Sequence, residues 1–409
     1  MGMFILYVLE QRFLFLFSSI RLCYLTDSRL QRQRKGLMPV FSYRHVKDLY
    51  SVFWTKARES ADAIALEANK SKKPIKIYHW AGRVTLDVIS QAGMGYDFNA
   101  VGDPNSEIVT TYRTLFDNEP PLFFWLNVGI WLPVRQAFSL PVPAFLQAKA
   151  CAARIKNICY EAIRRKRAVL EKGGDAAANL DILSVALTSG VFTDDNLADQ
   201  LMTFLAAGHE TTASALAWMM YILAKHPAVQ TRLRAEIRAN LPSLSDESQT
   251  ATAAQVDRLP YLNAVINETL RFIPPVPGTS RDARRTTTLA GYTIPKGTRV
   301  FIVPWGVNTS YELWGPDAET FNPERWLKEG QANVGGAESN YSFLTFLHGQ
   351  RSCIGRDFAK GELMCLLAGW IGRFEVKLAD EALPLTVDGY VTARPPHGVP
   401  LIMKEVEGW

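Results

Sequence analysis

The chain has 409 residues, of which 48% are hydrophobic and 21% are charged, and its formal net charge is +5. This composition is ample for a buried core and excludes a disordered protein, and so small a net charge gives no indication of a nucleic-acid footprint. The five cysteines are scattered and form no C-x-x-C pair, which excludes a disulfide scaffold and a structural zinc site. A reducing, cytosol-facing environment fits best.

The N-terminal segment, residues 1–28, is atypical. Its two apolar runs, Met3 to Leu9 and Phe13 to Phe17, are interrupted by polar residues at positions 10–12. A membrane-spanning helix needs about 20 mostly apolar residues. No basic region precedes the apolar runs, so the segment is not a good secretory signal either. We expect an interfacial or core-packed segment.

Helical periodicity predicts that most of the chain up to residue 272 forms α-helices. A basic cluster opens the first helix, and the main helical segments follow in this order: Arg29–Lys35, Trp54–Ala68, Ala81–Gly93, Ala144–Lys172, Asp194–Lys225, Pro227–Asn240 and Leu259–Phe272. The aromatic stretch from Pro120 to Pro143 suits core packing, with a pocket lining or a membrane surface as alternatives. Beyond these, the pattern predicts a β-meander over Thr286–Trp305, a helix over Asp357–Phe374 and a β-hairpin over Leu385–Met403. The predicted fold class is mainly α with minor β.

The helix Asp194–Lys225 is unusually long, about 45 Å at 1.5 Å per residue, and is apolar on nearly all sides. Its centre reads Ala-Gly-His-Glu-Thr-Thr from Ala207 to Thr212. A carboxylate there costs several kcal/mol unless it is paired or solvated, while Thr211 can bond back to a carbonyl or to a water. Gly208 permits a bend or the close approach of a flat ligand. These residues indicate a proton-delivery site; the alternative is a polar break without a catalytic role.

Glu268 and Arg271 are three residues apart and therefore share one face of a helix. Such a pair is usually a surface ion pair worth under about 1 kcal/mol. A second arginine, Arg325, lies beside an aromatic residue in Phe321–Trp326 and could join the pair. From the residues alone, that grouping is only a hypothesis.

Cys353 lies in a loop between Gly349 and Gly355, with Arg351 two positions before it. A lone cysteine is more often a small buried hydrophobe than a ligand. Here the glycines permit tight turns that can point amides at the sulfur, and the helix starting at Asp357 favours a thiolate through its dipole. Arg351 suits a cofactor that carries carboxylates.

These motifs resemble those of the haem-thiolate monooxygenases, the cytochrome P450 family. The loop agrees with the haem-binding signature F-x-x-G-x-R-x-C-x-G at every fixed position, through Phe346, Gly349, Arg351, Cys353 and Gly355. The segment Ala207–Thr212 resembles the motif A-G-x-[DE]-T-T, and Glu268 with Arg271 resembles the E-x-x-R pair. Phe321–Trp326 resembles the stretch that places Arg325 with that pair. The four motifs occur in family order.

The resemblance implies the cytochrome P450 fold over residues 29–409, a helical domain with a long central helix and small β-sheets, and haem b (iron protoporphyrin IX) as cofactor. By this likeness Cys353 is the proximal thiolate on iron, and Glu210 and Thr211 relay protons to dioxygen. The arginines that would pair the haem propionates are Arg351, Arg34 and Arg281. The residues that would line the substrate pocket are Ala207, Val276 to Thr279, and Val387 to Val391.

The implied reaction inserts one oxygen atom from dioxygen into a lipophilic small molecule, by hydroxylation or epoxidation, and suits secondary metabolism. The motif A-G-x-E-T-T is more typical of the eukaryotic microsomal type than of the bacterial type. The same type is favoured by Arg351, which stands where the bacterial type has His. That type implies an NADPH-dependent flavoprotein reductase on the basic side near Cys353 and a place on the cytosolic face of the endoplasmic reticulum, with peripheral membrane contact.

Departures from the family lie at the N-terminus. The chain resembles an N-terminally truncated member whose first β region is partly missing, and Leu30 replaces the usual aromatic or histidine four positions before Arg34. We expect intact catalytic motifs and a pocket that lacks part of its lid. A member that rearranges oxygenated substrates without a reductase would have a degraded motif around Thr211, which is intact. A truncated relative that binds haem without turnover, or folds poorly, is the non-enzymatic alternative.

Overall fold

The computed structural model describes residues 27–71, 73–117, 143–172, 181–387 and 392–409. The predictions for the N-terminal segment up to residue 26 and for the aromatic stretch at 118–142 lie outside these ranges. None of the described helices is both long enough and apolar enough to cross a membrane.

The described chain is mainly helical, and each predicted helix is present. The helices are α1 Asp27–Leu37, α2 Tyr43–Val46, α3 Tyr50–Ser71, α4 Ile77–Met94, α5 Glu107–Asp117, α6 Pro143–Glu171, α7 Ile182–Thr188, α8 Asp194–Lys225, α9 Pro227–Asn240, α10 Ala253–Val256, α11 Pro260–Phe272, α12 Pro304–Asn308, α13 Tyr311–Trp314 and α14 Arg356–Arg373.

Local signals in the sequence explain where these helices begin and end. The Thr193 side chain accepts a hydrogen bond from the Asn196 amide and so caps α8. Gly95 ends α4 with φ 64, a left-handed conformation that lets its amide bond back to the last turn. Prolines in the first turn start α9 and α11, where a missing N–H costs no helix hydrogen bond.

The strands are short and antiparallel. They are β1 Ile75–Lys76, β2 Thr279–Asp282, β3 Thr287–Leu289, β4 Tyr292–Ile294, β5 Arg299–Ile302, β6 Phe374–Leu378 and β7 Pro400–Glu405. In the largest sheet β7 lies between β1 and β6, while β2 pairs with β5 and β3 with β4. Mainly α with minor β is therefore confirmed.

The strand pairing predicted for the β-meander and for the C-terminal β-hairpin is wrong. The segment Thr286–Trp305 is not one meander, because β5 pairs with the earlier strand β2 and leaves β3 and β4 as a separate hairpin. An ion pair of 2.6 Å between Arg299 and Asp282 joins β5 to β2. The predicted hairpin Leu385–Met403 contributes one strand in its described part, β7, and this strand pairs with β6 and β1 instead.

Helix α8 runs through the core, as its all-round apolar sequence predicts. It packs against α4, α6, α11 and α14, and α14 packs in turn against α3. Trp218 on α8 and Trp370 on α14 are completely buried. The site described below lies between α8 and the segment that leads into α14.

Gly208 allows α4 to approach α8 closely. A Cβ atom at this position would lie 3.0 Å from Cγ1 of Ile89, which is itself buried. The close packing of α4 explains the glycine at position 208 within the continuous helix α8, and the predicted bend or approach of a flat ligand stays a prediction.

We expect Gly208→Ala to lower the free energy of unfolding by about 1 kcal/mol, because overpacking against Ile89 outweighs the better helix propensity of alanine. Gly93→Ala is the matched control: a Cβ there meets Ile89 at an ordinary 3.8 Å, and we expect a neutral or stabilising effect. Urea unfolding of both variants measures this. Equal effects of the two substitutions would contradict the packing explanation.

Candidate active site

The loop around Cys353 is held by backbone hydrogen bonds. The Cys353 amide donates one of 2.8 Å to the Phe346 carbonyl, and the Ser352 amide donates one of 3.1 Å to the Gly349 carbonyl. Gly349 has φ 76, a left-handed conformation that favours glycine. Gly355 has φ −89 and is the N-cap of α14, so of the two glycines only Gly349 is required by its backbone conformation.

The Cys353 side chain is exposed to a cavity of about 240 Å³ and surrounded by protein on its other sides. This burial raises the pKa of the thiol above its ordinary value. The Gly355 amide, which donates to the sulfur, and the Arg34 and Arg356 guanidinium groups lower the pKa, but by less than burial raises it. The protein groups alone therefore favour the thiol of Cys353 over the thiolate.

Thr211 and Cys353 line the same cavity from different elements. Thr211 lies on α8, and its hydroxyl donates a hydrogen bond of 2.6 Å to the Ala207 carbonyl, as its position in the helix predicts. The cavity is lined by Thr211, Thr212, Ala215, Leu270, Pro275, Val276, Thr279, Pro304, Thr345, Phe346, Leu347, Arg351, Cys353, Ala359 and Leu363. Most of these side chains are apolar, so the cavity suits a flat hydrophobic group with a polar edge near Arg351.

Glu210 is not among the residues that line this cavity. Its Oε1 atom accepts hydrogen bonds of 2.8 Å from the Tyr78 hydroxyl, 2.7 Å from the Thr392 hydroxyl and 2.7 Å from Arg394 Nε. Neighbouring residues in a helix point about 100° apart, and Glu210 lines a second cavity, also of about 240 Å³, that Tyr78 and Arg394 share. Glu210 and Thr211 therefore line different cavities, and the proton relay through both of them stays a prediction.

The Glu210 carboxyl has a lowered pKa although it is buried. Desolvation alone would raise the pKa, but the nearby Arg394 guanidinium and then His209 lower it further than that. Glu210 is consequently ionised at neutral pH. No sequence motif predicted Tyr78, Thr392 or Arg394 as partners, because they lie far from residue 210 along the chain.

The three arginines predicted at the cofactor edge lie in different settings. Arg351 lines the cavity. Arg34 donates a hydrogen bond of 2.8 Å to the Ser352 carbonyl, next to Cys353. Arg281 donates to the Thr279 hydroxyl at 3.2 Å and to the Ser280 carbonyl at 2.6 Å, and so adjoins the cavity through Thr279.

Only some of the residues predicted to line the substrate pocket lie on the Cys353 cavity. Val276 and Thr279 line the Cys353 cavity, as expected. Ala207 is exposed and is not among the lining residues, although its carbonyl accepts from Thr211. Val391 lies outside the described residues.

Glu268 is the centre of a completely buried network. Its two oxygens accept from Arg271 Nε and Nη2 at 2.8 Å each, from Arg325 Nε at 3.1 Å, from the Asn322 amide at 2.8 Å and from the Trp326 indole at 2.9 Å. The contact with Arg325 is confirmed, whereas the surface-pair interpretation is wrong, since Glu268 and Arg271 are both 0% exposed. Arg271 also donates to the carbonyls of Asn308, Ala318 and Thr320.

Within the described residues there is no group of three or more His, Cys, Asp or Glu side chains that could hold a metal ion. The Cys353 sulfur itself opens into the cavity described above.

Comparison with known proteins identifies the family. The family described as Cytochrome P450 matches residues 12–401. The chain is 49% identical to cytochrome P450 monooxygenase sphH of Aspergillus fumigatus, over 92% of this chain and 70% of that protein. It is 40% identical to cytochrome P450 monooxygenase FUM15 of Gibberella moniliformis, over 87% of this chain and 68% of that protein.

The chain belongs to the cytochrome P450 family.

As a cytochrome P450, the chain is a monooxygenase, an oxidoreductase that incorporates oxygen, and its cofactor is a haem. The residues present fit this cofactor: a cysteine sulfur opens into a mostly apolar cavity, the Gly355 amide donates to that sulfur, and Arg351 lies on the cavity wall. Thr211 provides a hydroxyl on the same cavity. In this cytochrome P450, Arg34 contacts Ser352, the neighbour of Cys353, and Arg281 contacts Thr279, which lines the cavity.

Proposed function

We propose that this cytochrome P450 inserts one oxygen atom from dioxygen into a lipophilic small molecule of secondary metabolism. The observation that carries the proposal is the shared cavity of Cys353 and Thr211, which combines a cysteine sulfur and a hydroxyl with mostly apolar walls. Such walls favour an apolar substrate, because burying its surface is the main source of binding free energy.

Each residue has a distinct proposed role. Cys353 holds the haem iron as its axial ligand, Arg351, Arg34 and Arg281 face the carboxylates of the cofactor, and Val276 and Thr279 contact the substrate. The haem, when bound, supplies the oxygen-activating chemistry. Thr211 would pass protons into the cavity through its Oγ1 hydroxyl, taking up one proton for each that it gives, in the relay with Glu210 that the resemblance implies, while the apolar walls exclude bulk water.

The finer assignments follow the family resemblance. We propose haem b as the cofactor, bound by a domain over residues 29–409, and an NADPH-dependent flavoprotein reductase as the electron donor. The reductase would dock on the side of the Cys353 loop, where Arg356 is exposed and Arg34 is half-buried. The proposed location is the cytosolic face of the endoplasmic reticulum.

A reduced carbon-monoxide difference spectrum of the expressed chain tests the proposal. A Soret band at the position typical of thiolate ligation, together with incorporation of labelled oxygen into an added lipophilic substrate in the presence of reductase, is the expected result. A chain that takes up no haem would overturn the proposal in favour of a non-enzymatic family member. A thiolate band without oxygen incorporation across a broad substrate panel would favour haem binding without turnover.

We expect Thr211→Ala to keep the carbon-monoxide spectrum and to uncouple turnover, with product formation falling by up to about 10²-fold while reducing equivalents appear as hydrogen peroxide. Thr211→Ser keeps the hydroxyl and is the matched control, with coupling close to that of the parent chain. Measured ratios of product to NADPH consumed decide this. Full coupling in the alanine variant would rule out a proton role for Thr211.

A further inference from the structure

One carboxylate, Glu210, joins the central helix to two other parts of the chain. It is 4% exposed, and its Oε1 atom accepts from Tyr78 on α4 and from Thr392 and Arg394 in the C-terminal segment. The Arg394 ion pair measures 2.7 Å, and the arginine side chain is 16% exposed. A buried pair of this kind is costly to break, because each charge would be left without its partner.

The segment 392–394 is also bound to α8 farther along the same helix. The Ser214 hydroxyl and the Trp218 indole both donate to the Ala393 carbonyl, at 2.6 Å each. Residues 210, 214 and 218 follow each other at intervals of one helical turn, so they form one face of α8. Every residue of the segment therefore bonds to this face.

This segment also contacts the wall of the Cys353 cavity. The Ala393 amide donates a hydrogen bond of 2.8 Å to the Pro275 carbonyl, and Pro275 and Val276 both line the cavity. Thr392 and Ala393 are 3% and 1% exposed, so the segment has no room to shift without breaking these bonds. A displacement of the segment would consequently move the cavity wall.

The charge state of Glu210 is compatible with an anchor. The carboxyl is ionised at neutral pH because Arg394 lowers its pKa. One oxygen already accepts three hydrogen bonds, all from donors that it would have to release in order to turn toward Thr211. The groups that face it are Tyr78 from α4, Thr392 and Arg394 from the C-terminal segment, and His209 from α8 itself.

We propose that Glu210 is a positioning residue for the substrate pocket: its ion pair with Arg394 fixes the segment 392–394 against α8 and Pro275, and so sets the pocket wall. The inference rests on the proposed function only in calling the cavity a substrate pocket, since the contacts themselves are independent of turnover.

The test compares Glu210→Gln, Arg394→Gln and the double variant in the haem-loaded protein. Amide hydrogen exchange in peptides covering residues 384–399 is expected to rise in all three, with the double variant close to the single ones because both substitutions remove the same ion pair. Lys156→Gln is the matched control, since it removes another ion pair of α8, the 2.9 Å contact with Asp199, far from this segment.

A ligand titration provides the second measurement. The dissociation constant of 4-phenylimidazole for the haem is expected to change by about threefold or more in Glu210→Gln and Arg394→Gln. This is the scale of coupling between residues in contact. Binding of the small ligand imidazole should stay close to the parent value, because it does not reach the wall. Thr392→Val removes one hydrogen bond to the Glu210 carboxylate but keeps the ion pair with Arg394, so it should shift both measurements in the same direction by less. This variant carries the test if Arg394→Gln does not fold.

The opposite pattern would overturn the inference. If Glu210→Gln uncouples turnover and alters the solvent isotope effect while Arg394→Gln matches the parent chain, and exchange at 384–399 is unchanged in both, then Glu210 is a proton relay. Failure of the proposed function is a separate result, because it would show as the loss of the thiolate band in the parent chain.

Discussion

Cys353→Ala is expected to abolish the carbon-monoxide band at the thiolate position completely. The described residues offer no cluster of side chains that could replace the sulfur as the ligand set of a metal ion. Without that bond the cofactor would be held only by apolar contacts with the cavity and by its arginines, so we also expect most of the purified variant to lack haem. The measurement is the reduced difference spectrum, normalised to protein.

The matched control is Cys365→Ala on α14, which lies in the run of buried residues from Gly361 to Gly372. Cys365 is completely buried, and burial raises the pKa of its thiol well above the ordinary value, so it is a neutral core side chain. We expect a small loss of stability and an unchanged band. Retention of the thiolate band in Cys353→Ala would refute the assignment of the iron ligand.

Glu268→Ala is expected to have the largest effect on folding, a loss of about 3–5 kcal/mol in the free energy of unfolding. The substitution leaves the Arg271 and Arg325 guanidinium groups buried without their shared carboxylate, and it also removes the acceptor of the Trp326 indole. Urea unfolding followed by tryptophan fluorescence reports the change directly, since Trp326 and Trp314 lie beside the network.

The comparison variant is Glu324→Ala, which removes a glutamate–arginine pair of the same chemistry at the surface. Glu324 pairs with Arg232, and both side chains are about half exposed. A pair in that setting contributes under about 1 kcal/mol. Should Glu268→Ala and Glu324→Ala prove equally mild, the buried network would have no special role in stability.

Local features of the fold could be predicted from the sequence because they depend on neighbours along the chain. The bounds of α8, its Thr193 cap and the bond from Thr211 to the Ala207 carbonyl are of this kind. Short strands were harder to predict. Strands β3 and β4 are largely exposed, so no strong apolar alternation indicated that β5 would pair with β2.

Sequence motifs predicted individual site residues, but not the partners that these residues contact. Cys353 and Thr211 do line one cavity, yet helix periodicity alone could not tell what lies opposite Glu210. The spacing of Glu268 and Arg271 showed that they share a helix face but not that the face is buried. In both cases the deciding partners come from distant segments, such as Arg394 and Trp326.

The position of β7 has a consequence for the order of folding. Its residue Leu401 pairs with Ile75 on one side and with Leu378 on the other, so the three-stranded sheet joins segments from near both ends of the described chain. Closing a loop of this length carries an entropy cost before any contact compensates it. The sheet can therefore form only after β7 has been synthesised, and until then β1 and β6 lack the strand that pairs with both of them.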